Sequence, residues 1–183
     1  MLITSSNWID DATITDHTSE QSSTYTKAEN IQHMQLHKSY VADNKLSAYI
    51  EIDFGSQKIV DTVAVLGHNL KQSTGTVRIR LANVSDFSTT VYDSTTVDAW
   101  PTVEEFGFLA WGEFHWGGIL SGDAVADYTI SFFKVLSQAV QARYMKIDLA
   151  NADTNIEVGR VFAGPSYRPT NSMKFGWDIT WVD

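Results

Sequence analysis

The residues best suited to grip a ligand lie close together in the middle of the chain: Trp100, Trp111, Glu113, Phe114, His115 and Trp116. Indole faces stack on the apolar face of a pyranose ring, while carboxylate and imidazole groups hydrogen-bond its hydroxyls. If Trp111–Gly118 (WGEFHWGG) is a strand, Trp111, Glu113 and His115 share one side, and Phe114 and Trp116 the other. The competing use of these rings is packing against the rest of the domain or against a neighbouring subunit, where Trp is also favoured. Packing is the default reading.

A second candidate is the turn Gly67-His68-Asn69. Glycine permits positive φ and asparagine tolerates a left-handed backbone. His68 and Asn69 therefore suit a strand end that ties neighbouring loops by hydrogen bonds, or the lip of a ligand cleft. Arg160 stands in an apolar run (Ile156, Val158, Val161, Phe162) and needs an anionic partner, because an unpaired buried charge is costly. Glu51, Asp53, Asp148 and Glu157 are the candidates, and the expected product is a structural ion pair. His33 and His37 are four apart and would share a helical face, but Met34 breaks the HExxH zinc pattern. Glu104 and Glu105 are adjacent, so on a strand they diverge and make no acid–base pair. The chain has no G-x-S-x-G elbow, GxGxxG turn or Walker loop. No enzyme is expected.

The elements that would position these residues are mainly strands. In Tyr49–Phe54, Ile50, Ile52 and Phe54 alternate with Tyr49, Glu51 and Asp53. Val77, Ile79 and Leu81 oppose Arg78 and Arg80, and Met145, Ile147 and Leu149 oppose Tyr144, Lys146 and Asp148. This period of two marks strands with one buried and one wetter face. Ile59–Leu66 is apolar on both faces apart from Asp61 and Thr62, as in a central strand. Gly55-Ser56 and Asn151–Asn155 carry the turn chemistry expected between paired strands. The best helical candidate is short, Ala28–His37. Residues 92–122 read as an aromatic excursion. The chain is expected to leave the sandwich after Gly164-Pro165 as an arm, 166–183, with Tyr167, Phe175, Trp177 and Trp181 to bury. Several short strands with turns between them indicate an all-β sandwich or barrel.

Composition sets further limits. A length of 183 residues, 43% apolar, suits one domain, here expected over residues 1–165 with the arm attached. There is no cysteine, which removes disulfides, thiolate chemistry and cysteine zinc sites. No run reaches the length of a membrane span, and the opening MLITSSNWIDD lacks the features of a signal peptide. Synthesis in a cytoplasm without export is expected, with no membrane insertion. The net charge is −9, from 13 basic and 22 acidic residues, and the basic residues are scattered. Nucleic acid is therefore not an expected partner.

Taken in order, these segments resemble a known family. An I-x-I-D-x-G strand (Ile50, Ile52, Asp53, Gly55), the strand IVDTVAVLGHN and the late ARYMKIDL resemble discoidin-like domains, also termed galactose-binding-like or coagulation-factor type C domains. The resemblance runs over roughly residues 8–164 and implies a jelly-roll β-sandwich that binds or docks. It also implies that a structural calcium ion is a candidate cofactor, for which Glu29, Asp43 and Asn44 could contribute oxygens. A narrower resemblance joins Gly67–Leu70 (GHNL), Ala142–Asp148 (ARYMKID), Ile156–Pro165 (IEVGRVFAGP) and a tail with Pro169, Asn171, Gly176-Trp177 and Asp183. These elements resemble structural proteins of tailed bacteriophages. That resemblance implies a virion tail or baseplate component, docked to other virion proteins and to copies of itself. The alternative is a carbohydrate-binding module for host surface glycan, with Trp100, Trp111, Glu113, His115, Trp116, His68 and Asn69 as its candidate contacts.

Overall fold

A computed structural model of the chain describes residues 3–4, 6–72, 74–100 and 131–167. Two strands dominate it. β4 (Ser47–Leu66) and β8 (Ser131–Ala150) run antiparallel, with Ser47 opposite Ala150 at one end and Leu66 opposite Ser131 at the other. Their register shifts between Asp53 and Lys58 and again between Val60 and Thr62, so both bend in the middle. The bend separates two halves. In the first half β2 (Thr13–His17) pairs with β4. On the far side of β8 lie β5 (Thr76–Ala82), β6 (Thr90–Asp93) and β7 (Val97–Asp98). In the second half β10 (Arg160–Gly164) pairs with residues 62–66 of β4. Three short strands complete the set. β1 (Ile3–Thr4) pairs with β11 (Ser166–Tyr167), and β3 (Tyr40–Val41) with β9 (Glu157–Val158).

The alternation in the sequence is the alternation in burial. Ile50, Ile52, Val77, Ile79, Leu81, Met145, Ile147 and Leu149 point into one core, where Val63, Val65 and Val161 meet them from the second half. Ile9, Ile31, Tyr40, Ile156 and Val158 belong to the same cluster. Ile59–Leu66 is flanked by β10 and β8, the central position its two-sided apolar character predicts. The fold is thus a nearly all-β, antiparallel sandwich.

Three local expectations are corrected. Gly55-Ser56 is not a hairpin turn: the two apolar segments around it both pair with β8 and not with each other. Gly55 has φ +75°, so it absorbs the kink where the ladder is interrupted, and the strand continues beyond it. Likewise the strands around Asn151–Asn155 do not pair with each other: β9, which follows it, pairs with β3, and β4 lies between β8 and β10. The expected helix at Ala28–His37 is only a 3₁₀ turn over Ala28–Gln32. It is too short to propagate as an α-helix and has no side-chain N-cap. His33 already has extended backbone, so it shares no helical face with His37.

The expected boundaries also shift. Tyr92 and Val97–Asp98, assigned to the excursion, belong to β6 and β7, while 101–122 lies outside the described residues. Ser166 and Tyr167 add a strand beyond Gly164-Pro165. Among the described residues, no helix is long and apolar enough to cross a membrane.

Because both halves share β4 and β8, core loss should be felt globally. Ile147→Ala, at a fully buried position, should cost about 3 kcal/mol in urea unfolding with an unchanged slope. Ile59→Ala, at a residue 48% exposed, should cost under about 1 kcal/mol.

Candidate functional site

The outer face of the first half is where polar side chains converge. Tyr49 of β4, Asp148 of β8 and Arg78 of β5 stand in one row across three strands; Glu51, Lys146, Arg80 and Asp93 form the next. The charges interlock, the two arginines of β5 diagonally and Lys146 directly across from Glu51. Arg78 clamps Asp93 with two bonds of 2.9 and 2.6 Å, and Arg80 reaches Asp148 at 2.7 Å. Lys146 bonds Glu51 at 2.5 Å, and Arg143 makes two 2.9 Å bonds to Asp53. The guanidinium of Arg78 holds Asp93 below the usual carboxylate range, and Arg143 does the same for Asp53.

Between these rows and the loop end of the sheet lies an open groove of about 400 Å³. Its walls carry one aromatic ring (Tyr49), two guanidinium groups (Arg78, Arg80), one carboxylate (Asp148) and the hydroxyls of Ser47, Thr76 and Thr96. Lys146 sits 4.4 Å from the Tyr49 ring centroid, and the Tyr49 hydroxyl donates to Asp16 at 2.9 Å. The ring is therefore fixed from two sides. Such planar, pre-oriented groups suit a ligand with many hydroxyls and little charge, because each cation here already faces an anion.

The candidates named from sequence are placed differently. Asn69 is spent on structure: it donates to the Asn155 carbonyl at 2.7 Å and to Thr154 Oγ1 at 3.1 Å, and accepts from the Glu157 N–H at 2.8 Å. Gly67 precedes it at φ +63° and turns the chain out of β4. Trp100 is half-buried and donates its indole N–H to the Leu70 carbonyl at 2.7 Å. His68 stacks edge-on against Trp100, with centroids 6.1 Å apart. His68 is 4% exposed, and among the described residues neither ring nitrogen has a hydrogen-bond partner. Burial pushes its pKa down to about 4, a fall the nearby Ala99 backbone offsets only in part. Trp111, Glu113, His115 and Trp116 lie outside the described residues, as do Phe175, Trp177 and Trp181 of the arm. Tyr167 is described, in β11, and is 62% exposed.

Arg160 does form an ion pair, but with Asp10, a partner absent from the four expected. One terminal nitrogen bonds both Asp10 oxygens at 2.9 Å, while the other contacts the Met34 sulfur. The Asn7–Asp10 segment crosses the edge of β10, where Trp8 N–H donates to the Ala163 carbonyl, and this brings Asp10 in from far away in sequence. For calcium, the Asn44 side-chain oxygen accepts from the Leu46 N–H. Among the described residues no group of three or more His, Asp or Glu side chains could hold a metal.

Sequence reasoning did not select Tyr49, Arg78, Arg80 and Asp148. Their signal was present, as the polar half of three alternating strands, but alternation alone reads as an ordinary wet face.

No protein-family model matches the chain, and neither does any curated protein sequence. Solved structures do match in fold. The lectin domain of lectinolysin, solved with Lewis B antigen, has a TM-score of 0.57 at 13% identity, over 88% of this chain and 97% of that one. Chitosan-binding module 1 of a chitosanase/glucanase from Paenibacillus sp. IK-5 has a TM-score of 0.57 at 14% identity, over 88% and 100%. A Ruminococcus gnavus GH29 fucosidase, solved with fucose, has a TM-score of 0.58 at 14% identity; 88% of this chain spans 27% of that enzyme. The chain shares the discoidin-like, galactose-binding-like β-sandwich of these structures. None of these similarities connects it to a virion.

The buried imidazole gives a measurable pH effect. The unfolded chain holds the His68 proton near pH 6.5 and the folded chain only near pH 4, so the unfolded state binds more protons in between. Stability should therefore fall as pH drops through that window, by about 3 kcal/mol in full. His68→Phe, which keeps the ring contact with Trp100, should flatten this slope when urea unfolding is followed from pH 7 to pH 4.

Proposed function

We propose that this chain is a non-catalytic carbohydrate-binding module that takes a neutral glycan into the Tyr49 groove. The observation that carries the reading is the groove itself. It offers an aromatic wall, hydroxyls, and guanidinium and carboxylate groups already locked by one another. A sugar could displace water there while its hydroxyls bridge Asp148 and the arginine N–H groups, with no unpaired charge left behind. The similar folds named above include a lectin domain and a chitosan-binding module, which supports the reading at the level of architecture.

A second reading keeps the virion role in tail or baseplate, with other virion proteins and further copies of the chain as partners. It draws on the GHNL and IEVGRVFAGP elements and on an exposed apolar face in the second half of the sandwich. The two readings are compatible, since a virion component can also hold host glycan.

The test is titration of the full chain against fucosylated and glucosamine-based oligosaccharides. Tyr49→Ala and Asp148→Asn should each weaken binding about tenfold, roughly 1.4 kcal/mol, with melting temperatures within a few degrees of the parent. Glycan binding that survives both changes would move the site elsewhere. No binding across the panel would leave the virion reading standing alone.

A further inference from the structure

The second half of the sandwich has an outer face unlike the first. A groove of about 730 Å³ runs along it, lined by Thr62, Ala64 and Leu66 of β4, Phe133 of β8 and Phe162 of β10. Phe162, Ala64 and Phe133 form one row across the three strands. Met34 and Leu36 stand on the far rim, and the Arg160–Asp10 pair closes one side. Phe133 is 64% exposed and Met34 81%, so apolar surface faces water along a sheet. Contiguous apolar surface of this kind marks an interaction site when it is large enough.

We propose that the occupant is the chain's own carboxy-terminal segment, residues 168–183, laid across this face. Three observations point to it. The first is reach. Gly164 pairs with Thr62 on the groove wall, and Tyr167 is three residues further on, at most about 10 Å of chain. The segment thus begins beside the groove. The groove's β4 wall, Thr62 to Leu66, is about 13 Å long, far less than sixteen residues can span. The second is pattern. Phe175, Trp177, Ile179 and Trp181 alternate with Gly176, Asp178 and Thr180, which in an extended chain gives one wholly apolar edge and one polar edge. The third is complementarity of type. Phe133, 64% exposed, and Phe162 flank the covered Ala64, so the surface offered is aromatic ring, which pairs well with large aromatic side chains.

This proposal does not rest on the glycan reading, since the groove lies on the other half of the sandwich. It also gives the aromatic segment a role within one molecule, whether or not the chain assembles.

The absence of cysteine makes the test clean. Ser131→Cys places a thiol opposite Leu66 at the end of the groove. It is paired, in the full chain, with Gly176→Cys or Thr180→Cys on the polar edge of the segment, and treated with a short bismaleimide at low protein concentration. The expected product is a cross-linked monomer. Adding Phe133→Asp should lower its yield about tenfold. As a second measurement, a chain ending at Tyr167 should bind an apolar fluorescent dye more strongly than the full chain. In that shorter chain Phe133→Asp should cancel the gain. Cross-linked dimers would overturn the proposal in favour of a second copy's segment. Absence of any cross-link, with both thiols shown to react singly with a monofunctional maleimide, would overturn it outright.

Discussion

The constraint on which this molecule rests is the pairing of β4 with β8, which resumes on both sides of an interrupted middle. Each strand is 20 residues long, and each contributes to both halves of the sandwich. The sheets therefore cannot separate without tearing a shared ladder. The bend that makes this possible is concentrated in a few residues, where Gly55 takes a positive φ and the register slips between Asp53 and Lys58. Everything else attaches to this frame. β5 and β6 extend the first half, β10 extends the second, and the Asn7–Asp10 segment clamps the β10 edge through Trp8, Asn7 and Asp10.

The frame gives the protein two outer faces of opposite character. On the first half, side chains excluded from the core are charged, and they neutralise one another across neighbouring strands. Exposed pairs of this kind add little stability individually, about 0–1 kcal/mol. Their larger effect is to hold Tyr49, Arg78, Arg80 and Asp148 in fixed positions, which lowers the entropy that any ligand would have to remove. On the second half the groove is lined mostly by apolar side chains, Leu66, Phe133 and Phe162 with Met34 and Leu36, beside Asn7 and the Arg160–Asp10 pair. One face is thus polar with its charges paired, and the other mainly apolar with one ion pair at its side.

How much of this was legible in the sequence depends on the range of the interaction. Alternation in Tyr49–Phe54, Thr76–Leu81 and Tyr144–Leu149 placed the core correctly, because burial on a strand follows a local period of two. Pairing partners were less legible. Gly55-Ser56 has turn composition, yet it serves as a kink within one strand, since φ alone does not say whether the chain reverses. The partner of Arg160 was missed because Asp10 is 150 residues away and arrives through the backbone path of the N-terminal segment. His68 and Asn69 were recognised as a special turn; Asn69 does tie the neighbouring loops by hydrogen bonds, whereas His68 is buried edge-on against Trp100 and its ring bonds to none of the described residues. The polar groove escaped notice for a different reason. A row of Tyr, Asp and Arg on three strands has no spacing signature along the chain.

The interval between Trp100 and Ser131 has a further consequence. It opens just after β7 pairs with the start of β5 and closes where Ser131 meets Leu66. Its two anchors belong to opposite halves of the sandwich: Val97–Asp98 pairs with Val77 and Thr76 of β5, and Ser131 pairs with Leu66 of β4. The distance between the anchors is therefore set by the bend in β4 and β8. A change in the kink at Gly55 would alter the span between them as well as the angle between the two halves.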